Sequence, residues 1–115
     1  MRERIQIVHA HGINVLVAEV LPVASYLGLK TMFTDHSLYS FDGEDAIHFN
    51  KTYKAVFDAC NAFITVSHCN KENLCLRVRA PPEKIFVIPN AVDTYRFTPN
   101  PSLRSPINTV NIVCI

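Results

Sequence analysis

Ile5-Gln6-Ile7-Val8, running into His9-Ala10-His11-Gly12, is a short apolar run with branched residues that ends in a polar tip, and it reads as a buried strand. The chain repeats the arrangement. Thr31-Met32-Phe33-Thr34 ends in Asp35-His36-Ser37, Ala62-Phe63-Ile64-Thr65-Val66 ends in Ser67, and Ile85-Phe86-Val87-Ile88 is closed by Pro89-Asn90-Ala91-Val92-Asp93. Longer segments with helical character lie between these runs: Ile13 to Leu27, Ala46 to Cys60 and Cys69 to Arg79. Apolar strands without alternation, separated by helices, predict a parallel sheet covered on both faces. That is an α/β fold with a doubly wound sheet.

Local signals support the boundaries. Gly28 closes the first helix as a left-handed stop, and Pro22 predicts a kink within it. Ile47, Tyr53, Val56 and Phe57 supply the apolar face of the second helix. Ser67 is placed to cap the third, Arg77 and Arg79 suit the negative end of its dipole, and Pro81-Pro82 stops it. Thr98 to Pro106, with three prolines and two serines, reads as a linker, and Val110 to Ile115 begins a further strand.

Composition narrows the classes. The chain has 115 residues, 11 basic and 10 acidic side chains, and a formal charge of +1. Apolar residues make up 49% and charged residues 18%, against about 25% charged in an average domain, which argues against disorder. The near-neutral balance argues against nucleic acid as a partner. No apolar run approaches the ~20 residues of a membrane-spanning helix. The four cysteines contain no CxxC and read as free thiols of a reducing compartment. Asn50-Lys51-Thr52 is a glycosylation sequon that a cytosol-facing chain leaves empty. The region from Lys71 to Arg104 is mildly basic, which suits either a solvated face or an anionic membrane surface.

Polar residues gather where the strands end: His9 and His11, then Thr34, Asp35, His36 and Ser37, then Ser67 and His68, then Asn90 and Asp93. In an open parallel sheet the ligand crevice lies beyond the carboxyl ends of the strands, so these groups predict one site along one rim. His9 and His11 share a strand face. No third ligand of suitable spacing accompanies them, so no metal site is assigned. Asp35 and His36 are adjacent on a strand and point to opposite sides, which weighs against a direct acid–base pair. Asn90 and Asp93 could equally be turn chemistry, and Ser67 reads as a helix cap rather than a nucleophile. No GxGxxG, GxxxxGK[ST], GxSxG or HExxH is present, and no cofactor is implied.

The segment Val87-Ile88-Pro89-Asn90-Ala91-Val92-Asp93, followed by Phe97-Thr98-Pro99, resembles a signature of retaining glycosyltransferases of family 4, which have the GT-B fold. Phe33-Thr34-Asp35-His36-Ser37-Leu38, Val66-Ser67-His68 with Lys71-Glu72-Asn73, and Leu76-Arg77 narrow the likeness. They point to the branch that moves N-acetylglucosamine from UDP-N-acetylglucosamine to phosphatidylinositol. That reaction begins glycosylphosphatidylinositol-anchor synthesis, in a multi-subunit complex on the cytoplasmic face of the endoplasmic reticulum membrane. The resemblance implies His36 as the catalytic residue beside the reacting sugar. It implies His9, His11, Asp35, Ser37, Asn90 and Asp93 as substrate-binding residues, and neither metal nor cofactor.

The same resemblance implies a division of the chain. Residues 1–97 correspond to the later part of a Rossmann-like, acceptor-side N-terminal domain, residues 98–107 to an interdomain linker, and residues 108–115 to the first strand of a donor-binding domain. The family's diphosphate-binding Arg and Lys, its glutamate pair and its membrane anchor lie outside this sequence. The expectation is therefore a fragment that is inactive alone. Two alternatives stand beside it: a non-catalytic α/β interaction fragment of the same complex, and another family 4 transferase acting on a different lipid or sugar.

Overall fold

A computed structural model describes residues 3–106, 108–110 and 112. The apolar runs form four strands: β1 (Ile7–His11), β2 (Lys30–Asp35), β3 (Ala62–Thr65) and β4 (Ile85–Val87). Three helices alternate with them: α1 (Val15–Tyr26), α2 (Asp45–Ala59) and α3 (His68–Val78). The strands pair in parallel in the order β1-β2-β3-β4. The α/β parallel sheet is the one expected.

Every crossover moves one strand further in the same direction. Right-handed crossovers then put all three helices in one layer, where α1 packs on α2 and α2 on α3. Among the described residues the other face of the sheet has no helix on it, whereas the apolar strand runs predict cover on both faces. Register shows what each face carries. Ala10, Phe33, Phe63 and Ile85 lie abreast toward the helices, while His11, Thr34, Ile64 and Phe86 lie abreast on the open face. Phe33, Phe63 and Ile85 are essentially inaccessible, and with Leu21, Tyr53, Val56 and Leu74 they form the core.

Sequence explains the helix ends. The Asn14 side chain accepts from the Val17 N–H to start α1, and Ser67 does the same for Asn70 at the start of α3. Gly28, at φ +82°, ends α1 in the expected left-handed conformation, with Leu29 N–H donating to the Ala24 carbonyl. Pro22 sits inside α1, which continues to Tyr26. A 3₁₀ turn, Pro82–Lys84, follows the stop after α3 and leads into β4. Ala46 joins Tyr53, Val56 and Phe57 as the buried face of α2, and Ile47 is exposed instead.

Cys60, Cys69 and Cys75 are free thiols, and burial pushes that of Cys60 up to about 12. Cys114 and most of the strand expected from Val110 onward lie outside the described residues. No helix among the described residues is long and apolar enough to cross a membrane.

Phe63 touches both aromatic neighbours of the core, with ring centroids 5.4 Å from Phe33 and 4.8 Å from Phe57. Phe63→Ala is expected to destabilise the chain by about 3–5 kcal/mol, read as a lower urea midpoint. A loss below about 1 kcal/mol would contradict the assigned core.

Candidate functional site

Backbone alternation at the end of β2 sorts the chemistry. Thr34 and His36 go to the open face, and Asp35 goes under the helical layer, where it is only 2% exposed. On the open face the rim of the sheet holds three imidazoles and a hydroxyl. His9 Nε2 lies 2.8 Å from Thr34 Oγ1, and His11 Nδ1 lies 3.0 Å from His36 Nε2. The rings also pack together, His9 against His11 at 4.4 Å between centroids and His11 stacked on His36 at 5.3 Å. A bond between two imidazole nitrogens needs one proton, so one ring donates and the other accepts. Each ring keeps one further nitrogen, and in the neutral form such nitrogens can give or take a hydrogen bond. That suits a ligand rich in hydroxyl groups.

His9 is pushed below its ordinary value, first by burial and then by the neighbouring His11. Among the described residues no grouping of three or more His, Cys, Asp or Glu side chains is arranged to hold a metal ion.

Asp35 serves from behind. Its Oδ2 accepts from the Tyr53 hydroxyl at 2.9 Å, and its Oδ1 accepts from the Ser37 N–H at 3.1 Å. Burial pushes its carboxyl up, although both hydrogen bonds oppose the shift. Tyr53 is pushed up in turn by burial and by the Asp35 charge. The Asp35 carbonyl accepts from Asn70 Nδ2 at 3.1 Å. Asp35 and His36 thus point to opposite sides, and Ser37 is tied to Asp35 through its backbone.

Asn90 and Asp93 follow β4 at the same end of the sheet, and both are exposed. Three strand intervals, roughly 14 Å, separate that strand from β1, so Asn90 stands along the rim rather than among the histidines. Asp93 Oδ1 accepts from the N–H groups of Tyr95 and Arg96, which is the turn chemistry open to it from sequence.

Sequence reasoning missed a buried polar group behind the rim. Asn73 and Arg77 of α3 donate to carbonyls of the loop that follows His36, Asn50 of α2 accepts from Arg77, and Asn70 of α3 and Tyr53 of α2 donate to Asp35. A signal exists in the sequence: three polar residues at spacings of three and four on a helix whose Leu74 and Val78 pack in the core. Position alone makes Arg77 a dipole partner at the helix end, but its guanidinium turns inward.

The profile of Glycosyltransferase Family 4 matches residues 1–96. A phosphatidylinositol N-acetylglucosaminyltransferase subunit from Arabidopsis thaliana is 44% identical over 99% of this chain and 26% of its own length. The human protein of the same name is 40% identical over 98% of this chain and 24% of its own. The gpi3 subunit of the same transferase in Schizosaccharomyces pombe is 42% identical over 91% and 23%. The chain thus spans about a quarter of the length of these relatives. No solved structure gives a significant match.

The His9 shift fixes a sign. The unfolded chain takes up the imidazole proton near 6.5, before the folded chain does. The contribution of His9 to stability is therefore present above that pH and lost as pH falls from there through the lower folded value. His11→Gln removes the smaller of the two causes. In an NMR titration His9 is expected to move upward in this variant yet remain below 6.5. An unmoved His9, or one fully restored, would refute the assigned causes.

Proposed function

We propose, from the premise that this chain belongs to glycosyltransferase family 4, that it forms one wall of a retaining transferase. The reaction carries N-acetylglucosamine from UDP-N-acetylglucosamine to phosphatidylinositol, the first step of glycosylphosphatidylinositol-anchor synthesis. One observation carries the reading: identity of 40–44% across nearly the whole chain to proteins named as a subunit of phosphatidylinositol N-acetylglucosaminyltransferase. The rim of imidazoles is chemically suited to it, since both a sugar and an inositol ring present hydroxyls.

In this reading His36 stands beside the transferred sugar and holds one of its hydroxyls through the transition state. His11 fixes the ring plane of His36 through their hydrogen bond, and Thr34 does the same for His9. His9 and His11 line the acceptor side of the cleft, and Asn90 extends the rim toward the donor side. Asp35, buried under the helices, sets the course of the loop, and Ser37, tied to it through its N–H, keeps its hydroxyl for substrate. Glycosyl transfer also needs electrostatic stabilisation of the departing diphosphate and a closed cleft holding both substrates. Among the described residues only one wall of such a cleft is formed. The working enzyme then includes further sequence and the other subunits of its complex, at the cytoplasmic face of the endoplasmic reticulum membrane.

The test uses the longest natural protein that contains these residues, assayed with labelled UDP-N-acetylglucosamine and phosphatidylinositol vesicles. Transfer of label to the lipid is expected, and His36→Ala is expected to lower it about 10²–10³-fold. The 115-residue chain by itself is expected to release no UDP. Absence of lipid labelling by the longer protein, or full activity of His36→Ala, would overturn the reading.

A further inference from the structure

We infer that Arg77, which lies on the far side of the sheet from the rim, is a positioning residue for His36, acting by gripping the loop between β2 and α2. The role assigned to His36 rests on the function proposed above, whereas the grip itself does not.

Arg77 is 8% exposed, an unusual burial for a guanidinium. Its Nη2 donates to the carbonyls of Tyr39 at 2.8 Å and Ser40 at 3.0 Å. Its Nη1 donates to Asn50 Oδ1 of α2, and its Nε donates to Asn73 Oδ1 of α3 at 3.4 Å. The guanidinium carbon lies 4.5 Å from the centre of the Phe41 ring and 5.8 Å from that of Tyr53. Asn73 Nδ2 adds a second donor to the Tyr39 carbonyl at 3.1 Å. The Tyr39 ring is stacked on Phe49, with centroids 4.4 Å apart.

One side chain therefore joins α3, α2 and two consecutive carbonyls of the loop. Burying a charge on neutral oxygens is costly, and apolar packing would fill the same space more cheaply. What the arginine supplies is geometric. Its Nη2 meets the two adjacent carbonyls while Nη1 and Nε of the same rigid plane hold Asn50 and Asn73, a spread of donors that a single ammonium nitrogen cannot cover. The gripped carbonyls lie three and four residues after His36, and the Asp35–Ser37 bond holds the near end of the same loop. With both ends fixed, the backbone that carries His36 is held where its ring reaches within 3.0 Å of His11. A positioning side chain of this kind acts on the reaction by limiting misalignment of a group that touches substrate.

The experiment compares Arg77→Lys and Arg77→Gln with Ile85→Ala, a core control whose truncated side chain is at β4, away from the loop. Amide exchange of residues 37–43 and the His36 ring resonances are followed by NMR in the 115-residue chain. Both Arg77 variants are expected to speed loop exchange about tenfold over the control and to shift the His36 ring signals. Should Arg77→Gln fail to fold, Arg77→Lys decides by the same criteria. Equal exchange and equal His36 signals in Arg77→Lys and Ile85→Ala would overturn the grip.

In the longer protein, Arg77→Lys is expected to lower kcat at least about threefold relative to Ile85→Ala, with KM for UDP-N-acetylglucosamine within about twofold. A kcat equal to the control's would overturn the positioning role. If the longer protein transfers no sugar, the proposed reaction fails, and the NMR comparison still decides the grip.

Discussion

The Asp35 carboxylate, buried under the helices and held by the Tyr53 hydroxyl and the Ser37 N–H, is the joint on which the arrangement turns. Strand geometry sends neighbours to opposite faces. Once Asp35 is anchored inward, Thr34 and His36 must lie outward, beside His9 and His11 on β1. A slip of one residue in the register of β2 would bury the imidazole and expose the carboxylate. The polar anchor thus specifies which side of the sheet carries chemistry, and the aromatic core of Phe33, Tyr53 and Phe63 makes that choice stable.

The anchor has an energetic cost. Burial raises the Asp35 carboxyl, and its two hydrogen bonds recover part of the penalty. The same holds for Asn70, whose Nδ2 is bonded to the Asp35 carbonyl while its Oδ1 has no partner among the described residues. An apolar α3 would pack more favourably against α2 and the sheet. The polar seam instead ties the β2–α2 loop by its main-chain carbonyls, alongside the stacking of Tyr39 on Phe49.

Much of the fold was legible because it depends on local rules. Apolar runs marked β1 to β4, Ser67 marked the start of α3, and Gly28 marked the end of α1 at a left-handed position. The one-sided helical layer was less legible, because it follows from strand order, and no local pattern encodes which strand pairs with which. At the rim, alternation alone separated Asp35 from His36, and rim placement of the histidines followed from their positions at strand ends. The inward turn of Arg77 was hidden for a physical reason. An arginine in the last turn of a helix satisfies the dipole equally well in solvent, and only the carbonyls of Tyr39 and Ser40, distant in sequence, draw it inside.

Every oxygen that Arg77 grips belongs to an amide, either a main-chain carbonyl or an asparagine side chain. Amides do not titrate in the working range, and neither does a guanidinium. The far end of the loop therefore rests on a footing insensitive to acidity, whereas its near end rests on the Asp35 carboxyl, whose proton affinity burial raises. A fall in pH would loosen the near end first, as Asp35 takes up a proton and holds the Ser37 N–H less strongly, while the arginine keeps the far end in place.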